Sequence, residues 1–167
     1  MKALFINKTD LVKNTAISGS MDLDKLIHFI KIAQDIHVQT VLGTNLYDKL
    51  QDDIVANTLT GHYATLVETY IKPTLVQWSF MEFLPFAAYT VGSKGVFKKT
   101  SENGENPEPS EIDKMKEATR DIANHYSMRL VDHLRHHAHD RYPEYIQTTE
   151  DDDMRPNRNM TFGGWEL

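Results

Sequence analysis

The chain has 167 residues, 40% of them apolar, and its 24 acidic against 18 basic side chains give a net charge of −6. That is enough for one domain with one compact core, while no apolar run approaches the roughly 20 residues of a membrane-spanning helix. The acidic balance excludes a strongly basic surface for non-specific nucleic-acid binding, and the absence of cysteine excludes disulfide and thiolate chemistry and suits a chain made in a cytoplasm.

The opening "MKALFINKTDLVKNT" holds too short an apolar stretch for a signal peptide. Residues 9–14 predict a short helix with Thr9 at its N-cap, and "ISGSMD" predicts a turn whose Asp22 caps a longer helix. In that longer helix Leu23, Leu26, Ile27, Ile30 and Ala33 keep helical spacing, with Phe29, Ile32 and Ile36 as a second stripe. Two stripes predict a central helix with neighbours on both sides. Gly43 then suits a left-handed helix end, and Thr44 or Asn45 caps the next helix, which buries Leu46, Tyr47, Leu50 and Ile54. "NTLTGH" ends it near Asn57, another helix runs from about residue 60 to 70, and Pro73 forces a kink or restart. Residues 74–91 read as the most buried helix, bent near Pro85, with Trp78, Phe80, Phe83, Phe86 and Tyr89 as core aromatics.

Residues 92–109 differ in kind. Gly92, Gly95, Gly104, Pro107 and Pro109 punctuate them, "SENGENPEP" has nothing to bury, and "GVFKKT" suits a strand, paired in a hairpin or with another subunit. Lys94, Lys98 and Lys99 make this loop locally basic, either for solvation or to meet a phosphate backbone. The clearest helix starts at Ser110, with Ile112, Met115, Thr119, Ile122, Tyr126, Leu130 and Leu134 as its buried stripe and Ser127 on the polar side, and Pro143 stops it. "QTTEDDDMRPNRN" reads as a solvated linker. The pattern divides the chain into a helical domain over 1–146, with a protruding loop at 92–109, and a flexible linker and arm over 147–167. The fold class is all-α: a bundle of four to five helices with a long loop or β-hairpin insertion and an extended C-terminal arm.

Catalytic patterns are missing from this order of residues. His133 and His137 stand one helical turn apart and are placed to share a metal ion, but a site needs three or four converging ligands, and the glutamate-bearing motifs of di-iron bundles are lacking. No full phosphate loop and no strained nucleophile turn occurs. The reading is therefore of a protein with no enzymatic activity, no metal and no cofactor. The tail is more pointed: "MTFGGWEL" ends in Phe162, Gly163, Gly164, Trp165 and Leu167, large apolar side chains of the type that anchor interfaces, beside glycines that allow close backbone approach.

An all-α domain with "VLGTNLYDKL" closing its first long helix, a "KGVFKKTSENGENPEP" loop between two long helices, and an aromatic, glycine-bearing C-terminal arm resembles the head–tail adaptor (connector) proteins of tailed bacteriophages. It is most similar to the type found in phages of Bacteroidetes hosts, the crAss-like group included, and the resemblance spans most of the chain. It implies a structural virion protein made in the host bacterial cytoplasm and placed at the head–tail junction. Such adaptors form a homo-oligomeric ring, typically of twelve copies, beneath the portal protein. The ring extends the channel through which DNA passes without sequence-specific binding, meets the downstream tail protein, and has no membrane partner. Carried onto this chain, Gly43, Leu46, Tyr47 and Leu50 form the helix junction. Lys94, Val96, Phe97, Lys98 and Lys99 lie on the loop facing channel or tail, and Phe162, Gly163, Gly164, Trp165 and Leu167 form the gripping arm. An acidic channel wall would repel DNA and let it slide. The alternatives are another helical interaction protein, such as a tail-completion factor or cytoplasmic adaptor, and a metal-binding helical enzyme built on His133 and His137.

Overall fold

The computed structural model describes residues 3–18, 23–87, 89–93, 95–98, 107–148 and 153–158. Helix α1 (Lys8–Asn14) begins with a reciprocal cap, in which the Asn7 side chain accepts from the Asp10 N–H and the Asp10 carboxylate accepts from the Asn7 N–H, each at 2.9 Å. Thr9, expected at that cap, lies inside the helix instead. Asn7 takes the role because it stands three residues before a carboxylate, the spacing that satisfies two orphan N–H groups at once.

A 3-10 turn at Leu23–Lys25 leads into α2 (Leu26–Ala33), which passes through a π turn at Gln34–Val38 into α3 (Gln39–Val55). Leu26, Ile30, Ala33, Gln34 and Val38 are buried, whereas Ile27 and Ile36 are exposed. The two-stripe expectation is thus corrected. Gln34 follows Ile30 by four residues and Val38 follows Gln34 by four, so the buried stripe continues through the π turn, while Ile36 lies off that stripe and faces solvent. Helix α3 ends at Val55, and Asn57, two residues on, has a φ of 56°, close to where the break was expected. Helix α4 (Gly61–Thr65) then runs through a second π turn, Leu66–Ile71, into α5 (Lys72–Ala87). The restart expected at Pro73 takes this form: the proline lacks an N–H, and it sits directly after a segment whose hydrogen-bond register has already been widened.

Helix α5 ends at Ala87 rather than at 91, and the chain turns into an antiparallel hairpin of β1 (Tyr89–Gly92) and β2 (Gly95–Lys98), with Tyr89 opposite Lys98 and Gly92 opposite Gly95. Helix α6 (Pro109–Arg141) follows, with Pro109 in its first turn and a cap shared by Glu108 and Glu111. Its 33 residues span about 50 Å. Tyr142 and Pro143 end it, and a single turn, α7 (Pro143–Ile146), packs against α3 and α6. The architecture is an all-α bundle with a β-hairpin insertion.

Helix α5 is the centre of the bundle, packed along α6 on one side and α2 on the other. The buried side of α6 is Ile112, Thr119, Ala123, Ser127, Leu130, Val131, Leu134 and Ala138. Met115 and Ile122, expected in that stripe, are about half exposed, and Ser127, expected on the polar side, is fully buried. The reason is size. Ala123 and Ser127 let α5 approach closely, and the buried Trp78 indole donates to Ser127 Oγ at 2.8 Å. Trp78 and Phe83 belong to the core as expected, while Phe86 is largely exposed and leans on Phe29 at a centroid distance of 5.3 Å.

Ser127→Ala leaves a buried indole N–H without its acceptor, a loss of about 1–3 kcal/mol. Urea unfolding monitored by Trp fluorescence is expected to show a lower midpoint with an unchanged slope. An unchanged midpoint would show that the Trp78–Ser127 bond adds nothing to the α5–α6 contact.

Candidate functional site

The junction residues expected to act together do so. Leu46, Tyr47 and Leu50 have no solvent exposure and lie within about one turn of α3. The Tyr47 hydroxyl donates to Asp35 Oδ1 at 2.9 Å and accepts from Gln34 Nε2 at 3.1 Å. Gln34 also donates to the Ala3 carbonyl at 2.9 Å and accepts from the Phe5 N–H at 2.8 Å, while Gln51 donates to the Ala3 carbonyl at 3.1 Å. Two buried amides therefore pin the N-terminal chain to the π turn and α3, with the Tyr47 phenol bonded to one of them. Phe5 completes the arrangement edge-on to the Tyr47 ring at 5.5 Å. Burial, reinforced by the Asp35 carboxylate, pushes the Tyr47 hydroxyl above its ordinary pKa, so it stays a donor.

Gly43 interrupts α3 with φ 73° and ψ 160°. The positive φ is as expected, but the extended ψ is not that of a left-handed cap; it is a region essentially restricted to glycine. An unbroken helix would join the Thr44 N–H to the Thr40 carbonyl. Here the Thr44 N–H donates to the Met154 carbonyl at 2.9 Å, and the Thr40 carbonyl accepts from the Asn157 N–H at 2.8 Å. The C-terminal chain thus bridges the two halves of a missing helix bond. Met154 N–H donates to Thr44 Oγ1 at 3.1 Å, so Met154 uses both of its backbone polar groups on one residue. Pro156 lies over Gly43 so closely that a Cβ there would stand 2.5 Å from the proline Cδ. Arg158 donates to the Tyr145 carbonyl at 3.0 Å and sits over the Tyr145 ring, and Asn45 Nδ2 donates to the Gln147 carbonyl at 2.6 Å. Residues 153–158, expected in a solvated linker, lie on the bundle. Composition hides this because the docking is carried mainly by backbone groups; the signal in the sequence is a glycine in one segment and a proline in the other.

The hairpin expected from "GVFKKT" is present. Val96 is 65% exposed near its tip, and Phe97 and Lys98 stand in β2 opposite Thr90 and Tyr89. Lys94 and Lys99 lie outside the described residues, as do Phe162, Gly163, Gly164, Trp165 and Leu167.

His133 and His137 do come together, with ring centroids 4.7 Å apart. His133 is otherwise engaged. It stacks on Tyr70 at 3.9 Å, and its Nε2 hydrogen-bonds with the Tyr142 hydroxyl at 3.0 Å, which donates to the His62 carbonyl at 3.2 Å. Burial first, and then the charges of His137, Arg141 and His136, hold His133 down at about 4. Among the described residues no group of three or more His, Cys, Asp or Glu side chains is placed to hold a metal ion. His37, on the first π turn, stacks flat on Trp78 at 3.7 Å and meets Glu82 at 2.8 Å; burial lowers its pKa against the opposing pull of that carboxylate. A cavity of about 560 Å³ opens between α1, α5 and α6, with Asp10, Glu68, Lys72 and Arg129 on its walls. Lys72 is ion-paired with Glu68 at 2.7 Å, and Arg129 lies between the rings of Tyr70 and Tyr126. This is a mixed-charge wall.

Residues 38–154 match a family of unknown function, DUF6712, and the chain belongs to that family. No curated protein matches the chain, and no solved structure does. The matched span includes both partners of the Thr44–Met154 bond.

Two expected outcomes follow from this geometry. Gly43 and Gly61 both have positive φ, but a Cβ at Gly61 would meet nothing within 4 Å. Gly61→Ala is therefore expected to cost about 1–2 kcal/mol from backbone strain alone, and Gly43→Ala clearly more, compared by calorimetry; equal losses would mean that Pro156 yields freely. The second concerns pH. His133 is neutral when folded, so below pH 6.5 the unfolded chain takes up a proton that the folded chain refuses, and stability falls from pH 6.5 to about 4. His133→Gln keeps a polar partner for Tyr142 without titrating. Its melting temperature is expected to drop less between pH 7 and pH 4.5 than that of the parent, with His37 responsible for part of the remaining slope. Parallel curves would rule out His133 as a source of the acid sensitivity.

Proposed function

We propose that this DUF6712 protein is a structural virion adaptor that assembles as a ring beneath the portal, joins phage head to tail, and extends the DNA channel. One observation carries the reading. Two elements suited to contact other proteins are joined to opposite ends of α6: the β1–β2 hairpin precedes its start, and the C-terminal chain leaves from α7 at its finish. Those ends are about 50 Å apart. A subunit of this kind presents one element to each neighbour along an axis, as a connector must. The exposed Val96 gives the hairpin an apolar tip, and the anchored 153–158 segment starts the last nine residues from a set point on the bundle rather than from a free linker. The net charge of −6 suits a channel wall that DNA slides past. In this reading Phe162, Trp165 and Leu167 enter the portal or the next copy, and no reaction is catalysed.

Mass spectrometry of purified particles of the source phage, normalised to the portal protein, tests the proposal. A copy ratio near one to one is expected, and absence from the particle would refute it. For the arm, Trp165→Ala is expected to weaken assembly by about 2 kcal/mol or more while the isolated chain melts unchanged. A sharp fall in the melting temperature would instead place Trp165 in its own bundle's core.

A further inference from the structure

The contacts at Gly43 have the form of a receptor and a ligand that happen to share one chain. The receptor side is complete within the bundle: the Thr40 carbonyl, the bare α-carbon of Gly43, the Thr44 N–H and hydroxyl, and the carbonyl and ring of Tyr145. The ligand side is complete within Met154–Arg158: a carbonyl and N–H on Met154, the Pro156 ring, the N–H of Asn157 and the Arg158 guanidinium. We propose that the broken helix bond at Gly43 is a peptide-binding seat for this extended, proline-centred segment, and that the segment exchanges between copies of the chain.

Specificity follows from chemistry. The seat demands an acceptor and, three residues later, a donor, because it must satisfy the Thr44 N–H and the Thr40 carbonyl together. Between them the backbone passes so near Gly43 that any side chain there would overlap the Pro156 ring. Pro156 has no N–H to leave unpaired at that point of closest approach and holds the segment extended. Arg158 then reads a carbonyl and an aromatic face at once, a pairing its planar guanidinium suits. The same groups on a second copy present the same chemistry, which makes exchange an inexpensive route to association. Within one chain the segment is held by its tether, at an effective concentration on the order of millimolar. The seat does not depend on the adaptor reading, and its test needs no virion.

The test uses the full-length chain carrying Pro156→Gly and Arg158→Ala, which alter the ligand and leave the seat intact. The probe is a dye-labelled synthetic peptide with the sequence of residues 150–160, followed by fluorescence anisotropy. Saturable binding to the altered chain is expected, weakened about fivefold or more when Thr44→Val is added, since one hydrogen-bond partner is lost. The unaltered chain is expected to bind the same peptide at least tenfold more weakly, because the peptide must displace the tethered segment. No saturable binding to an altered chain that still melts cooperatively would overturn the seat, as would binding indifferent to Thr44→Val. No displacement on the unaltered chain at millimolar peptide would overturn the exchange. Should the double change unfold the protein, Arg158→Ala alone gives the same comparison.

Discussion

One absent hydrogen bond organises this molecule. Gly43 turns the chain out of the helix, and the Thr40 carbonyl and Thr44 N–H lose each other as partners. A helix cannot leave such groups unpaired at a buried position without a cost comparable to a whole hydrogen bond, and Gly43 is buried. The chain answers from more than a hundred residues away: Met154 and Asn157 fill the gap. The first half of α3 thereby runs on from α2 and its π turn, while the second half carries Leu46, Tyr47 and Leu50 into the core at a different angle. The N-terminal chain, through Ala3 and Phe5, is hung on the same helix and the π turn before it by Gln34, Gln51 and Tyr47. Both ends of the described chain thus depend on α3.

The rest of the bundle is shaped by irregularities of a similar kind. Two π turns interrupt the α-helical hydrogen bonding, one before Gly43 and one before Pro73. Each carries an aromatic partner: His37 in the first stacks on Trp78, and Tyr70 in the second stacks on His133. Trp78 in turn bonds Ser127 on α6. A chain of contacts therefore runs from the π turn after α2, through α5, to the middle of α6. Within it the His37 ring meets Glu82 and the Trp78 N–H meets Ser127, side-chain pairs that make the packing specific as well as tight.

These features bear on function through geometry. The long helix α6 separates the hairpin from the C-terminal chain, and the Gly43 seat holds residues 153–158 against the bundle. Of the histidines on the last turns of α6, His133 is drawn into stacking on Tyr70 and hydrogen bonding with Tyr142.

The amino-acid sequence by itself determined the helical class, the break at Gly43, the burial of Leu46, Tyr47 and Leu50, the hairpin around "GVFKKT" and the stop at Pro143. Each of these rests on a local rule, whether helical spacing, a glycine's φ, a proline's missing N–H or a strand-forming run. Only the tertiary structure decided that Ser127 is inside and Met115 and Ile122 outside, that Ile36 faces solvent, and that "MRPNR" lies on the bundle. Each has its own physical reason. An apolar side chain such as Ile36 that lies off the buried stripe still counts as apolar in the sequence, a small polar side chain is buried only if a partner such as Trp78 reaches it, and a backbone hydrogen bond carries no side-chain code. The Thr40–Thr44 gap was implicit in one glycine, but which part of the chain would fill it was a matter of where the fold brings residues 154–157.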